Sequence, residues 1–155
     1  MPKCTILIGV PGSGKTTWMQ NQEWIDSMYI ASTDDVIELV VDQFCITYNE
    51  GFKDLIKFAE KVMWRELELA AVDGDPIYID RTNMTAKSRK RFIDMLKPYG
   101  YEFEAVVFST PDASEWKQRL DSRPFKTIPQ DAIDRMVTSY EQPTEAEGFS
   151  AITFM

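Results

Sequence analysis

A chain of 155 residues with 44% apolar side chains can fill a core of its own without disulfide or metal staples, so residues 1–155 read as one domain. It holds no histidine, which excludes imidazole bases, nucleophile activators and metal ligands together and leaves a carboxylate as the expected general base. A net charge of −8 speaks against a non-specific nucleic-acid coat, and Cys4 and Cys45 are too few and too far apart for a zinc site or a disulfide framework.

The first strand, roughly Cys4 to Gly9, follows Met1-Pro2-Lys3 directly, so no signal peptide is expected. Its unbroken apolar run is that of a buried parallel strand. Gly9-Val10-Pro11-Gly12-Ser13-Gly14-Lys15-Thr16-Thr17 comes next and matches G-x-x-x-x-G-K-[ST] at Gly9, Gly14, Lys15 and Thr16. The glycines let the backbone curl until successive N–H groups point inward at phosphate oxygens. A helix expected from about Thr16 to Asp26 adds its positive end to the same concavity. Lys15 is the expected contact to the β- and γ-phosphates and the Thr16 hydroxyl the expected Mg²⁺ ligand. Pro11, Gly12, Ser13 and Thr17 complete the nucleotide-binding loop.

Tyr29-Ile30-Ala31 reads as a short second strand running into Ser32-Thr33-Asp34-Asp35. One of the two aspartates is expected to start a helix carrying Val36, Ile37, Val40, Val41 and Phe44. A longer amphipathic helix, about Phe52 to Val72, sets Phe52, Leu55, Ile56, Ala59, Val62, Met63, Leu67 and Ala70 on one face, read as core with no ligand site. Asp73-Gly74-Asp75 turns the chain into a third strand, Pro76 to Asp80, which ends in an acid before Arg81-Thr82-Asn83. A helix from about Ala86 to Lys97 carries Lys87, Arg89, Lys90 and Arg91, and Pro98-Tyr99-Gly100 stops it. Residues 102–109 form a fourth strand, two short helices (about 112–121 and 130–141) flank a loop over 123–129, and Ala151 to Phe154 is the last strand. Strands alternating with helices predict a three-layer parallel α/β domain.

Ligands of such sheets gather at the C-terminal strand ends, where Asp34 and Asp80 stand. Asp80 suits an acid that shares Mg²⁺ with Thr16, or else caps a turn before Thr82-Asn83. Asp34, across the phosphate loop, suits the base for an acceptor hydroxyl, unless its work is to cap the helix. Arg119, Arg123 and Lys126 suit a lid closing on a transferring phosphate, or are helix-end charges on a solvated loop. Charge is uneven along the chain: residues 1–52 hold seven acids and two lysines, whereas 81–126 hold ten Lys and Arg against six acids. That basic stretch is either two solvated helices or a cationic rim for a polyanion.

Four stretches resemble the bacteriophage polynucleotide 5′-hydroxyl kinase family: Ile8 to Trp18, Tyr29 to Asp35, Thr82-Asn83, and Glu115 through Pro129. The resemblance implies an adenylate-kinase-like P-loop fold with five parallel strands in order 2-3-1-4-5 and a small helical lid at about 112–141. It implies transfer of the ATP γ-phosphate to the 5′-hydroxyl of a single-stranded DNA or RNA end. Asp34 becomes the general base, Lys15 and Thr16 hold phosphates and Mg²⁺, Arg123 is the lid arginine and Arg119 a second one. Two departures concern the acceptor. The phage enzymes carry an acceptor-gripping arginine three residues after the base, where this chain has Ile37. Some relatives place an acid immediately before Thr-Asn, where this chain has Arg81. Arg81, Asn83 and Arg89 are therefore the candidate acceptor contacts. With no trailing phosphatase domain, 3′-end healing is not expected. The expected compartment is a reducing cytoplasm, including that of a phage-infected host, with no membrane partner.

Two other readings share the donor loop. The acidic charge and Ile37 favour a small-molecule kinase for a nucleoside or sugar. A nucleotide-binding module without transferase activity is the third, although no guanine-specifying Asn-Lys-x-Asp run is present.

Overall fold

β1 (Lys3–Ile8) is buried from Cys4 onward because it runs through the middle of a five-stranded parallel sheet ordered β2-β3-β1-β4-β5, the predicted order. The computed structural model describes residues 1–123 and 126–155; Pro124 and Phe125, counted above in the loop between the late helices, lie outside the described residues. The other strands are β2 (Tyr29–Ala31), β3 (Ile77–Ile79), β4 (Glu102–Val107) and β5 (Phe149–Phe154). The helices are α1 (Lys15–Gln20), α2 (Thr33–Phe44), α3 (Tyr48–Asp73), α4 (Ala86–Leu96), α5 (Ala113–Asp121) and α6 (Gln130–Ser139).

Alternate residues of β1 feed opposite faces of the sheet. Cys4, Ile6 and Ile8 pack with Met63 and Leu67 of α3 and Phe92, Ile93 and Leu96 of α4. Leu7 packs with Met19 and Trp18 of α1, Tyr78, Val106 and Phe108. These are the three layers expected. A separate apolar knot of Ile37, Val41 and Ala59 fastens α2 to α3. It depends on Gly51, where a Cβ would come within 2.5 Å of Val41 Cγ1.

Three element boundaries around the site differ from the sequence expectations. α1 ends at Gln20 rather than near Asp26, and a single 3₁₀ turn over Ile25–Ser27 follows. The cap of α2 is Ser32, whose Oγ accepts from Asp35 N at 3.3 Å, so Asp34 and Asp35 lie in the first helical turn and neither is the cap. α3 begins at Tyr48, four residues before Phe52, because Thr47 and Glu50 form a reciprocal capping box.

Parallel register then assembles the site. Ala31 and Ile6 both pair with Ile79, so the chain leaves β2, β3 and β1 at one edge of the sheet. Asp80 N donates to Ala31 O at 3.0 Å and Gly9 N to Thr82 O at 3.0 Å, which sets the three exits side by side.

Candidate active site

The loop after β1 turns on two left-handed glycines, Gly12 (φ 76) and Gly14 (φ 99), which L side chains rarely match. Gly9 answers a different demand: a Cβ there would sit 2.7 Å from Ser13 Oγ and 3.1 Å from Phe108 Cβ. Ser13 Oγ is buried and has no hydrogen-bond partner among the described residues. Lys15 opens α1, is only 8% exposed, and lays its Nζ across the loop to Gly9 O (2.8 Å) and Val10 O (2.9 Å). Burial pushes its pKa down to about 8, against the pull of Asp80 and with the push of Arg123. Thr17 is exposed on the same first turn.

Thr16 Oγ1 donates to Asp80 Oδ2 at 3.3 Å, joining the end of the loop to the end of β3. Burial raises the Asp80 pKa, while Lys15 and the Thr16 hydroxyl oppose the rise. Two hard oxygen donors fit Mg²⁺, which takes one or two protein oxygens and completes its octahedron with water and phosphate oxygens. Among the described residues no group of three His, Cys, Asp or Glu offers a self-contained metal cage.

α5 lies over the outside of the loop. Trp116 Nε1 donates to Pro11 O at 2.7 Å, and Arg119 donates through Nη1 to Gly12 O at 3.0 Å and through Nη2 to Glu115. Arg119 thus holds the loop by a carbonyl. Trp116 carried no sequence signal for this contact.

The side of the site across from the loop is built by α2, α3 and the chain before α6. The Tyr48 hydroxyl donates to Asp34 Oδ1, and Lys126 Nζ donates to Asp34 Oδ2 at 3.0 Å and to Glu38 Oε1 at 3.1 Å. The Lys126 ammonium also stands 4.2 Å from the centroid of the Tyr48 ring. Thr127 N donates to Asn49 Oδ1 at 3.0 Å, fastening the chain after Lys126 to the start of α3. Burial works against charge on Asp34, but the Tyr48 bond and the Lys126 and Arg123 charges outweigh it and hold the carboxyl below its ordinary range. Asp35 moves the other way, raised by burial and by Asp80, Glu38 and Asp34.

Beside this cluster opens a cavity of about 490 Å³. Tyr48, Phe52 and Ile56 of α3 face Ile128 and Met136 across it, and Asp34, Arg81, Arg123 and Lys126 supply its charge. The first turns of the α3 face read as core are therefore a cavity wall; only from Ala59 onward is that face buried. A wider cleft of about 1110 Å³ shares Asp34, Tyr48, Asp80, Arg123 and Lys126 with the cavity and reaches Thr16. Asp34 stands where the two meet.

Two expected acceptor contacts are structural instead. Asn83, 3% exposed at φ 49, donates through Nδ2 to Leu7 O (2.7 Å) and Arg81 O (3.2 Å), lashing β1 to the exit of β3. Arg89 is fully buried, paired through Nε and Nη2 with Glu147 at 2.8 Å and donating through Nη1 to Asn83 O at 2.9 Å. Neither reaches the cavity. Arg81 does, with Glu60 3.3 Å from its guanidinium. Ile37 is fully buried in the α2–α3 knot, so that position faces away from any acceptor.

A family model described as an AAA domain matches residues 5–143, from β1 past the end of α6. The chain belongs to this family. The AAA-domain chain is 24% identical over 150 residues to the bifunctional polynucleotide phosphatase/kinase of Schizosaccharomyces pombe, covering 95% of this chain and 32% of that protein. It thus spans about a third of that curated relative's length. A chain in the structure of the Pnkp1/Rnl/Hen1 RNA repair complex superposes with a TM-score of 0.65 at 25% identity, over 89% of this chain and 43% of that one. Chaetomium thermophilum Kti12 in complex with ADP-AlF3 superposes with a TM-score of 0.65 at 18% identity, over 98% of this chain and 88% of that one. The fold of this AAA-domain protein is that of the P-loop kinases, and its loop is a nucleotide-binding loop. No helix among the described residues is long and apolar enough to cross a membrane.

Proposed function

We propose that this protein is a polynucleotide 5′-hydroxyl kinase that moves the γ-phosphate of ATP to the 5′ end of a DNA or RNA strand. The observation that carries the reading is the station of Asp34, an ionised carboxylate between the phosphate loop with its Thr16–Asp80 pair and a cavity with aromatic walls and cationic corners. The sugar and base of a terminal nucleotide suit Tyr48, Phe52 and Ile56, and its phosphate suits Arg81 and Lys126. The likeness to a polynucleotide phosphatase/kinase and to a chain of an RNA repair complex supports the same acceptor class.

Asp34 takes the proton of the acceptor hydroxyl. A carboxylate offers about four acceptor positions, and Tyr48 and Lys126 use two of them, so the proton is received without breaking either bond. The hydroxyl oxygen bonds to the γ-phosphorus as the bond to the β–γ bridging oxygen breaks, and ADP departs. Lys15 and Arg123 neutralise the charge moving toward that bridge. Thr16 and Asp80 would hold Mg²⁺, which would supply further neutralisation of phosphate charge.

The test is transfer of labelled γ-phosphate from ATP with Mg²⁺ to a single-stranded oligonucleotide bearing a 5′-hydroxyl, beside a mixture of free nucleosides and sugars. Label on the oligonucleotide, lost in Asp34→Ala, is the expected result. One observation favours a small-molecule kinase: a 490 Å³ cavity is large enough to enclose a whole nucleoside or sugar. Label on a small alcohol and none on the oligonucleotide establishes that reading, and release of free phosphate alone overturns both.

A further inference from the structure

We infer that the exposed cations of α3 and α4 form a track for the phosphates of the strand that follows the reacting 5′ end; the inference rests on the polynucleotide reading above. α3 runs out of the acceptor cavity in a row of residues spaced four apart, which turns about 40° round the helix at each step. Tyr48, Phe52 and Ile56 line the cavity, Glu60 pairs with Arg81 at 3.3 Å, and Trp64 stacks on Phe92 with the Arg91 guanidinium 5.1 Å from its ring. One residue further round the helix, at the same spacing, run Lys53, Lys57, Lys61 and Arg65, all exposed. Lys87 and Arg91, also exposed and four apart, continue the charge on α4.

Elsewhere in the chain the exposed helical cations are matched by acids four residues away: Lys90 with Asp94, Lys117 with Asp121, Arg119 with Glu115 and Arg135 with Asp131. On α3 the residue four away from each lysine is another cation, a spacing at which like charges destabilise a helix. None of the four forms an ion pair among the described residues. Of the acids nearby, Glu50 is held by the Thr47 cap, Glu60 by Arg81 and Glu66 by the Tyr29 hydroxyl, which leaves Asp54 and Glu68, two acids beside a row of four cations. Four residues of helix advance about 6 Å, so successive lysines can meet successive phosphates of an extended single strand. A chain of net charge −8 that concentrates unmatched cations beside its acceptor cavity fits a single-stranded polyanion entering there.

The experiment uses the triple variant Lys57→Ala, Lys61→Ala, Arg91→Ala and a control that removes the same charge from matched positions: Lys90→Ala, Lys117→Ala, Arg135→Ala. Affinity for a 3′-labelled single strand of about ten nucleotides is measured without ATP across a salt series. Transfer to that strand and to a nucleoside 3′-monophosphate is measured in parallel. The track variant is expected to bind the strand about tenfold more weakly, with a log–log salt slope shallower by about two, at about 0.7 for each lost single-strand contact. Its KM for the strand rises to match, its kcat stays, and its KM for the mononucleotide holds within about twofold, while the control behaves as wild type. Strand phosphorylation with unchanged affinity and salt slope in the track variant overturns the track and leaves the kinase reading standing. Salt-dependent strand binding that the variant loses, without any transfer, supports the track and overturns the kinase reading. A wild-type protein that neither binds nor phosphorylates the strand overturns both.

Discussion

Tyr48 and Asp34 meet end to end, the phenol of the first residue of α3 donating to a carboxylate in the first turn of α2. The bond fixes one carboxylate oxygen, Lys126 fixes the other, and the packing of Val41 against Gly51 holds the two helices at the distance this needs. Tyr48→Phe keeps the ring under Lys126 and removes the hydroxyl. The Asp34 pKa then rises, because a hydrogen bond that favoured its charged form is gone. A base must be ionised to act, so activity lost as pH falls is lost at a higher pH in the variant. The kcat–pH profile should show this shift of the acid limb, with kcat at neutral pH down by about tenfold from looser orientation and KM for ATP unchanged. An unshifted acid limb would remove Asp34 from the role of base.

Lys15 predicts the alkaline side. Its pKa of about 8 belongs to the protein without phosphate, where burial is the main cause of the depression. As pH climbs through about 8 the free protein loses the cation proposed to meet the β- and γ-phosphates. Bound ATP favours the charged form and restores it. The expected outcome is a kcat/KM for ATP that falls as pH rises through this region, while kcat at saturating ATP stays level. A flat kcat/KM profile to well above pH 8 would place the Lys15 pKa near its ordinary value.

Arg81 and Arg89 separate binding from architecture. Arg89→Met leaves Glu147 without its buried partner and Asn83 without the donor to its carbonyl. Breaking a buried pair from one side costs about 3–5 kcal/mol, so the melting temperature should drop steeply. The acceptor KM of the molecules that remain folded should not move. Arg81→Ala should do the opposite, raising the acceptor KM by about tenfold, since its guanidinium lines the cavity and its partner Glu60 is partly exposed. Equal effects of the two variants on acceptor KM would reinstate Arg89 as a substrate contact.

The phosphate loop and the strand order were legible because both rest on local patterns, a nine-residue motif and strands alternating with helices. The cavity beside Asp34 was legible only in pieces: Asp34, Arg81 and Lys126 were candidates one by one, but their meeting with Tyr48 was not, since the four converge only after the chain has passed through three further helices. Arg89 sits among lysines and arginines and looks solvated until Glu147, 58 residues on, is folded beside it. One signal did lie in plain sight. Thr47-Tyr48-Asn49-Glu50 is a capping-box pattern, and it starts α3 early enough to bring Tyr48 to Asp34, whereas apolar spacing alone points to Phe52.

The grip of α5 on the phosphate loop gives the last expectation. A loop that turns its N–H groups inward toward phosphates turns carbonyls outward, and those carbonyls need donors of their own. Trp116 Nε1 serves Pro11 O, and Arg119 Nη1 serves Gly12 O. Trp116→Phe keeps an aromatic ring against Gly12, whose added Cβ would lie 3.5 Å from Trp116 Cδ1, and removes only the donor. The loop loses one bond of about 1 kcal/mol, so KM for ATP should rise by roughly fivefold, with kcat at saturation within about twofold and acceptor KM unmoved. Arg119→Ala should act in the same direction. The double variant should cost less than the two effects multiplied, because both donors restrain the same short backbone segment. If Trp116→Phe leaves KM for ATP unchanged, the loop keeps its shape by its glycines alone and α5 merely rests upon it.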